Sequence, residues 1–172
     1  TNEEAKRRLK DPHTPHPKTP FAIVANTQTQ GKGQRNHHWE SASEDGLYYT
    51  LVIEPEQFEM TALQSYYNHI GALIINIIKT QSGRHAHLKQ PNDILIDNKK
   101  VVGILMETII GSQSQHPNYI IIGIGMNINQ DQFPESIKNI ATSLRQLTNQ
   151  SYNKQDFIDY LTKEIPYVFK RR

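Results

Sequence analysis

Apolar residues occur along the chain in two patterns, short runs and helical spacing, and these patterns predict strands and helices. Residues 21–26 and 47–53 are short apolar runs typical of buried strands. Residues 61–80 place apolar side chains three and four positions apart, as in a long helix with one packed face. Polar residues fill positions 27–45, where neither an apolar run nor a helical spacing is present. We therefore expect a long loop there, and long loops in compact domains are commonly functional.

Residues 88–108 combine a strand pattern with charged residues that packing alone does not explain. Asn98 is suited to a hairpin tip, so the strand before it should fold back on residues 100–110 and bring Asp93 near Gly103. Lys100 would then share a cleft with Asp93. The simpler interpretation makes Lys100 a surface charge beside the turn and Asp93 a turn residue.

Three further segments complete the predicted architecture. Residues 119–129 form an apolar run typical of a central strand that is buried on both faces. Residues 2–10 begin with an oxygen-bearing cap and two acids, which is a helix-start composition. Residues 151–172 should be mostly helical, and the proline-rich residues 11–20 should form an extended connector.

Composition limits the classes of function. A chain of 172 residues suits one domain, so we interpret residues 1–172 as one catalytic or binding unit. The net charge of +2 offers no basic surface for DNA. The chain has no cysteine, which excludes disulfides and a thiol nucleophile. Its apolar runs are too short to span a bilayer, and we expect a soluble, cytoplasmic protein.

The loop at residues 29–39 has a composition suited to anions. Its two glycines let backbone N–H groups approach an anion closely, while Lys32 supplies positive charge. A G-x-G pair alone is equally typical of a flexible turn. Trp39 could stack on a purine, although a lone tryptophan is more often a core anchor.

Two pairs of histidines are weak candidates for a metal site. His37 and His38 are adjacent, and His85 and His87 would share one strand face. No third ligand lies at a suitable spacing, so surface histidines are the better interpretation.

Three segments together resemble the catalytic domain of biotin protein ligases. The family's loop G-R-G-R-x-x-R-x-W has a counterpart in GKGQRNHHW, and its strand G-I-G-x-N-x-N in GIGMNIN. Its segments K-W-P-N-D and K-x-x-G-I-L-x-E have counterparts in KQPND and KVVGILME. The opening TNEEAK is similar to the family's helix start, S-T-N-x-x-A-K. The family's first strand, a winged helix and a complete small barrel have no counterpart in this chain, so we do not expect transcriptional regulation.

The resemblance implies an α/β (α+β) fold with a mixed β-sheet flanked by helices, like the catalytic domains of class II aminoacyl-tRNA synthetases. It implies that biotin and ATP, with Mg²⁺, give biotinyl-5′-AMP and pyrophosphate. A lysine of a biotin carboxyl carrier domain, as in acetyl-CoA carboxylase, then takes the biotinyl group. Both steps pass through concentrated negative charge, which cations and N–H donors stabilise. DNA and membrane partners are not expected, and pairing into a homodimer is left open.

The resemblance also implies roles for individual residues. Lys100 is the implied catalytic cation, and Lys32 would bridge the biotin carboxylate and a phosphate. Asp93 would orient or deprotonate the incoming lysine. Asn127 would lie on the ATP side and is the implied metal ligand. The other implied binding residues are Thr1, Gln28, Gly31, Gly103, Leu105 and Gly123 for biotin, Trp39 and Asn92 for the adenine and phosphate, and Gln34 in the loop.

The chain departs from the family pattern at several positions. Lys32, Gln34 and His37 stand where the family has arginine, and Gln90 stands where it has tryptophan. Neither lysine nor glutamine can form a guanidinium fork to a phosphate, so we expect a weaker hold on the adenylate. Two alternatives stay open: a non-catalytic relative that binds biotin or a carrier domain, and a lipoate–protein ligase, although the latter's R-R-x-x-G-G-G signature is absent.

Overall fold

A six-stranded sheet frames the structure, a computed structural model that describes residues 1–11, 18–34, 39–41, 44–111 and 116–170. The strands are β1 (Phe21–Ala25), β2 (Leu47–Ile53), β3 (His87–Lys89), β4 (Asp93–Ile96), β5 (Lys99–Ile110) and β6 (Pro117–Met126). Their order across the sheet is β1-β2-β6-β5-β4-β3. The α-helices are α1 (Asn2–Lys10), α2 (Leu63–Ser82), α3 (Leu144–Thr148) and α4 (Lys154–Glu164), with 3₁₀ turns at Met60–Ala62 and Ile165–Phe169.

All pairings between these strands are antiparallel. The α+β class is as predicted. The parallel part of the expected mixed sheet is limited, within the described ranges, to an isolated bridge between Lys100 and Ala141. Both residues of the Asp97–Asn98 turn have positive φ, 50° and 62°, as a type I′ hairpin requires. The predicted hairpin and its pairing of Asp93 with Gly103 are confirmed.

The two faces of the sheet are covered unequally. Helices α2 and α4 pack on one face around a large apolar core that includes Ile74, Ile78 and Phe157. Helix α1 covers only part of the other face, where Ala5 and Leu9 join a smaller apolar cluster. Because a single amphipathic helix buries only a stripe of side chains, the rest of this second face stays uncovered by helix.

Three glycines leave a patch without side chains on the face of the sheet that α1 partly covers, called the α1 face below. Successive residues of a strand point to opposite faces, so Gly103, Leu105 and Glu107 of β5 share the α1 face. Gly103 pairs with Gly125, and Leu105 with Gly123, both on β6. Gly103, Gly123 and Gly125, called the glycine floor below, therefore form a depression in the middle of the sheet.

The element predictions are confirmed for the long segments and incomplete for one short helix. The strands of the hairpin, the central strand and the helices α1, α2 and α4 lie where the sequence places them. Strand β3, with three residues, lies where the sequence analysis places His87 and Leu88 in a strand. Helix α3, with five residues, is too short to show a period and is absent from the prediction. Residues 12–17 and 112–115, in the predicted connector and in the loop before β6, lie outside the described residues. None of the helices in the described ranges combines the length and apolar character that a membrane crossing requires.

Candidate active site

A cavity of about 270 Å³ opens above the glycine floor. Its walls come from the start of α1, the loop before β2 and the β4–β5 hairpin. Gly31 and Asn127 are the predicted site residues that lie outside its lining. The cavity brings together the other eleven: Thr1, Gln28, Lys32, Gln34, Trp39, Asn92, Asp93, Lys100, Gly103, Leu105 and Gly123.

An ion pair between Lys100 and Asp93 lies on the cavity wall. Lys100 Nζ is 2.7 Å from Asp93 Oδ1, and the two side chains are 33% and 28% exposed. The backbone of Lys100 is fixed on both sides, since its N–H donates to Ile140 O at 2.8 Å and its carbonyl accepts from Thr142 N–H at 3.0 Å. A partly exposed pair of this kind adds little to stability. Its position in the cavity instead suits it to chemistry.

Trp39 lies on the glycine floor and against Lys100. A Cβ at Gly125 would be 2.5 Å from Cε2 of Trp39, and one at Gly103 would be 2.8 Å from its Cζ3. Only glycine permits this contact. Lys100 Nζ lies 5.0 Å from the ring centroid, within the range of cation–π attraction. The buried indole N–H has no hydrogen-bond acceptor among the described residues. Trp39 thus belongs to the cavity, and its stacking on a purine stays a prediction.

Two backbone hydrogen bonds join the two ends of the glycine-bearing loop. The Trp39 N–H donates to Gly31 O at 2.9 Å, and the Gln28 N–H donates to Ser41 O at 3.0 Å. Gly31 is buried, and a Cβ there would collide with the carbonyl oxygen of Trp39. Gly31 therefore closes the base of the loop instead of lining the cavity.

Lys32 and Gln34 are tied to neighbours at the cavity rim. Lys32 Nζ lies 3.2 Å from Glu3 Oε1, and both side chains are more than half exposed. Gln34 Nε2 donates to the Tyr67 hydroxyl at 3.1 Å, and the same oxygen accepts from a backbone N–H of β5 at 3.0 Å. The sequence predicts Tyr67 only as a packing residue of α2. Residues 35–38 of the loop, which include His37 and His38, lie outside the described residues.

The two predicted asparagines occupy different environments. Asn92 lines the cavity, and its Nδ2 donates to Ile104 O at 2.8 Å. Asn127 is only 5% exposed. Its Nδ2 donates to the Lys100 carbonyl at 3.3 Å, and its Oδ1 accepts from Gln130 Nε2 at 3.2 Å. The structure therefore places Asn127 behind Lys100 rather than on the cavity wall, and its assignment as a metal ligand stays a prediction.

Several polar residues on the cavity wall are missing from the predicted site, and Asn2 and Glu107 among them contact each other. Asn2 Nδ2 donates to Glu107 Oε2 at 2.8 Å, and Asn2 Oδ1 accepts from the Thr50 hydroxyl at 2.6 Å. Glu107 also pairs with Lys6 at 2.7 Å. Asn2 covers Gly123, where a Cβ would lie 2.5 Å from Asn2 Oδ1. Both residues belong to the segments TNEEAK and KVVGILME, but the sequence does not reveal that these segments meet.

Ion pairs and burial shift several pKa values around the cavity. Burial disfavours the charged form of Lys6, yet its contacts with Glu107 and Glu3 leave its pKa above the ordinary value. Hydrogen bonds from Lys6 and Lys32 hold the pKa of Glu3 below its ordinary value. Burial raises the pKa of Tyr48, on the cavity wall, to about 12. At neutral pH, Lys6 and Glu3 are therefore charged and Tyr48 is neutral.

The fold and site define an α+β domain with a cation-bearing, glycine-floored cavity for small molecules. The chain belongs to the biotin/lipoate A/B protein ligase family, whose sequence profile matches residues 2–127. The resemblance seen in the sequence is thereby confirmed.

Relatives with similar sequences include two biotin ligases. Over 141 residues the chain is 33% identical to the bifunctional ligase/repressor BirA of Bacillus spizizenii, covering 81% of this chain and 42% of BirA. Over 147 residues it is 27% identical to the biotin–[acetyl-CoA-carboxylase] ligase of Paracoccus denitrificans, covering 81% of this chain and 58% of that ligase. The chain thus spans about half the length of these relatives.

The solved structure of a biotin protein ligase matches the fold of this chain. The biotin protein ligase from Aquifex aeolicus in complex with biotin and ATP superposes with a TM-score of 0.76 at 28% identity. The match covers 96% of this chain and 66% of that protein. The α+β fold of this chain is that of biotin protein ligases.

Proposed function

We propose that this chain is the catalytic part of an ATP-dependent biotin protein ligase, which forms biotinyl-5′-AMP and transfers biotin to a lysine of a biotin carboxyl carrier domain. One observation carries the proposal: the Lys100–Asp93 pair, the glycine floor and the glycine-bearing loop meet around the same cavity. The similarity to an Aquifex aeolicus protein that binds biotin and ATP supports the choice of substrates.

In the first step, the biotin carboxylate attacks the α-phosphate of ATP and pyrophosphate leaves. Both reactants are anions, so a fixed cation must offset their repulsion. Lys100 suits this task because hydrogen bonds hold its backbone and Trp39 supports its side chain. Lys32 would join it by exchanging Glu3 for a substrate oxygen. That exchange costs little, since the Lys32–Glu3 pair is exposed to solvent.

In the second step, the amine of the acceptor lysine attacks the biotinyl carbonyl, an amide forms, and AMP leaves. The amine must lose a proton before attack. Asp93 already accepts from one ammonium, that of Lys100, at 2.7 Å. It is therefore placed to receive the acceptor's ammonium as well and to orient it or take its proton. Lys100 would meanwhile offset the negative charge on the departing AMP.

Mg²⁺ is implied by the resemblance, but the described residues do not fit a metal site built by the protein. Among them, no group of three His, Cys, Asp or Glu side chains is arranged to hold a metal ion. His85 and His87 are exposed, and the side-chain oxygen of Asn127 is engaged by Gln130. Mg²⁺ commonly keeps water ligands and is bound through substrate phosphates. It would accompany ATP as part of the substrate.

The partner, location and assembly are parts of the same proposal. The acceptor would be the carrier domain of acetyl-CoA carboxylase, a choice that the ligase relative from Paracoccus denitrificans supports. A cytoplasmic location and pairing into a homodimer stay predictions from the sequence. The BirA relative is a ligase and a repressor, but this chain covers 42% of its length, and DNA binding is not part of the proposal.

Incubation of the chain with ATP, Mg²⁺, biotin and a purified carrier domain tests the proposal, with streptavidin as the probe. We expect carrier labelling that needs all of these components. With lipoate in place of biotin, mass spectrometry of the carrier should show no added mass, and a lipoylated carrier would favour the lipoate alternative. A folded chain that binds biotin but labels nothing would favour a non-catalytic relative.

A further inference from the structure

A chain of polar contacts runs from the middle of the sheet to the rim of the cavity. It begins at Thr50, which is fully buried, and passes through Asn2 to Glu107. From Glu107 it continues to Lys6, whose Nζ is also 3.0 Å from Glu3 Oε1. Glu3 in turn contacts Lys32 of the glycine-bearing loop, as described above. Through these contacts β2, α1, β5 and the loop are connected by side chains alone.

We propose that Glu107 is a positioning residue of this site. Its carboxylate holds Asn2 over Gly123, and the positive charge of Lys6 balances the charge of that carboxylate. The inference rests on the proposed function, because it assigns this contact to the binding of anionic substrates. Glu107 does not act on the reacting atoms. It acts through Asn2, which forms the wall beside the glycine floor.

The geometry around Asn2 leaves it one orientation. Its Oδ1 accepts from Thr50, and its Nδ2 donates to Glu107, so both ends of the amide are engaged. Gly123 lies directly beneath it, and a Cβ there would be 2.5 Å from Asn2 Oδ1. Loss of the Glu107 carboxylate would leave a donor without its partner, and the amide could turn into the cavity. The first turn of α1, which also carries Thr1 and Glu3, would then lose its anchor to β5.

The charge of Glu107 requires a second contact. The carboxylate lines a cavity whose proposed substrates carry a carboxylate and phosphates. An uncompensated negative charge there would repel them over a distance set by the ionic strength. Lys6 supplies the compensating charge: its Nζ is 2.7 Å from the Glu107 carboxylate, and its side chain is 26% exposed. Lys6 and Glu107 thus form a neutral unit that fixes Asn2 without repelling substrate.

Five variants separate positioning from simple helix stabilisation. Glu107→Ala removes the acceptor for Asn2, while Glu107→Gln keeps an acceptor oxygen. Lys6→Gln leaves Glu107 uncompensated, and Lys6→Gln combined with Glu107→Gln removes both charges. Glu4→Ala is the matched control, because Glu4 pairs with Arg7 and Arg8 on the same helix and does not line the cavity.

Steady-state kinetics supply the first measurement. Glu107→Ala should raise KM for biotin about tenfold with kcat little changed, the pattern of lost ground-state binding. Glu107→Gln should recover most of that loss. Lys6→Gln should raise KM for ATP, more at low salt, and the second change Glu107→Gln should bring it back toward the wild-type value. Equal effects of Glu107→Ala and Glu107→Gln, an equal effect of Glu4→Ala, or simple addition in the double variant would each overturn the inference.

Amide hydrogen exchange supplies a measurement that does not depend on activity. In the free protein, Glu107→Ala should speed exchange of the Ala5 amide, which donates to Thr1 O at 3.0 Å, and of the α1 amides that follow it, more than Glu107→Gln or Glu4→Ala does. A wild-type chain that fails to label a carrier would refute the proposed function, and the exchange result would still decide the positioning role. Labelling by the wild type, with unchanged KM and exchange in Glu107→Ala, would refute the positioning role alone.

Discussion

The ammonium of Lys100 contacts the carboxylate of Asp93 across the β4–β5 hairpin, with Nζ 2.7 Å from Oδ1. The type I′ turn pairs Ile96 with Lys99 and Leu95 with Lys100. A one-residue bulge after Lys100 then shifts the register, so that Asp93 lies opposite Gly103. A cation and a carboxylate are thereby held side by side at the edge of the glycine floor. The cation suits the adenylation step, and the carboxylate suits the transfer step.

Replacement of Lys100 tests the cation. Lys100→Met removes the ammonium and keeps an unbranched apolar side chain of similar bulk. We expect it to slow biotinyl-5′-AMP formation by about 10²–10³-fold, as with loss of one preorganised donor to a developing charge. Single-turnover release of pyrophosphate measures the step. Lys99→Met is the matched control, since Lys99 lies on the same strand and is exposed to solvent. Similar slowing in both variants would contradict a specific role for Lys100.

Replacement of Asp93 should separate the two steps. Asp93→Asn keeps the shape of the side chain and removes its charge, so transfer from preformed biotinyl-5′-AMP to the carrier should slow by about 10²–10⁴-fold, the usual contribution of a general base. Adenylation should change far less. Asp97→Asn, in the exposed turn of the same hairpin, is the control. The assignment fails if Asp93→Asn slows adenylation and transfer equally.

Substitution in the glycine floor should displace Trp39. A Cβ at Gly125 would lie 2.5 Å from the Trp39 ring, so Gly125→Ala should move the indole and cost about 1–3 kcal/mol of unfolding free energy. Trp39 is the sole tryptophan of the chain, so its fluorescence reports the displacement directly. Gly111→Ala serves as control, because the nearest atom there belongs to the side chain of Asn118. An unchanged emission spectrum in Gly125→Ala would refute the contact.

Restoring an arginine in the loop should strengthen retention of the adenylate. Gln34 has no charge and donates to the Tyr67 hydroxyl at 3.1 Å. Gln34→Arg supplies a guanidinium that can bind a phosphate in bidentate fashion. We expect slower release of biotinyl-5′-AMP in a stopped-flow experiment. Gln132→Arg adds the same charge at an exposed site outside the cavity lining. Release at the wild-type rate from Gln34→Arg would count against the idea.

The buried hydroxyl of Tyr49 should make stability fall at alkaline pH. Burial raises its pKa to about 12, while the unfolded value is near 10. Between these values the folded state binds more protons, so the unfolding free energy decreases as pH rises, in total by roughly 2–3 kcal/mol. Below about pH 10 this contribution is fully present.

Tyr49→Phe should reduce that alkaline dependence. The variant also loses the hydrogen bond between the Tyr49 hydroxyl and Thr162, made at 2.9 Å, which should cost about 1 kcal/mol at neutral pH. Urea denaturation from pH 7 to 12 measures both effects. Tyr167→Phe is the control, because Tyr167 is 59% exposed. A pH profile of Tyr49→Phe that matches the wild type would contradict the assignment.

The sequence predicts the hairpin and the meeting of its charges because the turn is local. The turn at Asn98 sets the pairings beside it and brings Asp93 close to Gly103, and a one-residue bulge after Lys100 places the two residues opposite each other. The contact of Asn2 with Glu107 spans 105 positions of the chain. No periodicity encodes such a contact, and only the complete fold creates it.

Contacts between distant segments also explain why Gly31 and Asn127 do not line the cavity as predicted. Each lies in a segment that resembles a binding motif, but Gly31 closes the base of the loop and Asn127 supports the backbone of Lys100. A motif shows which residues surround a site. Whether a given side chain points into the cavity depends on packing between distant segments.

Biotin-dependent exchange of labelled pyrophosphate into ATP tests the central claim most directly, because it requires the cavity to bind both substrates and to run adenylation in both directions. We predict exchange in the wild-type chain with biotin, none with lipoate, and a loss of about 10²–10³-fold in Lys100→Met. A folded chain that gives no biotin-dependent exchange, or an exchange rate that Lys100→Met leaves unchanged, would contradict the account.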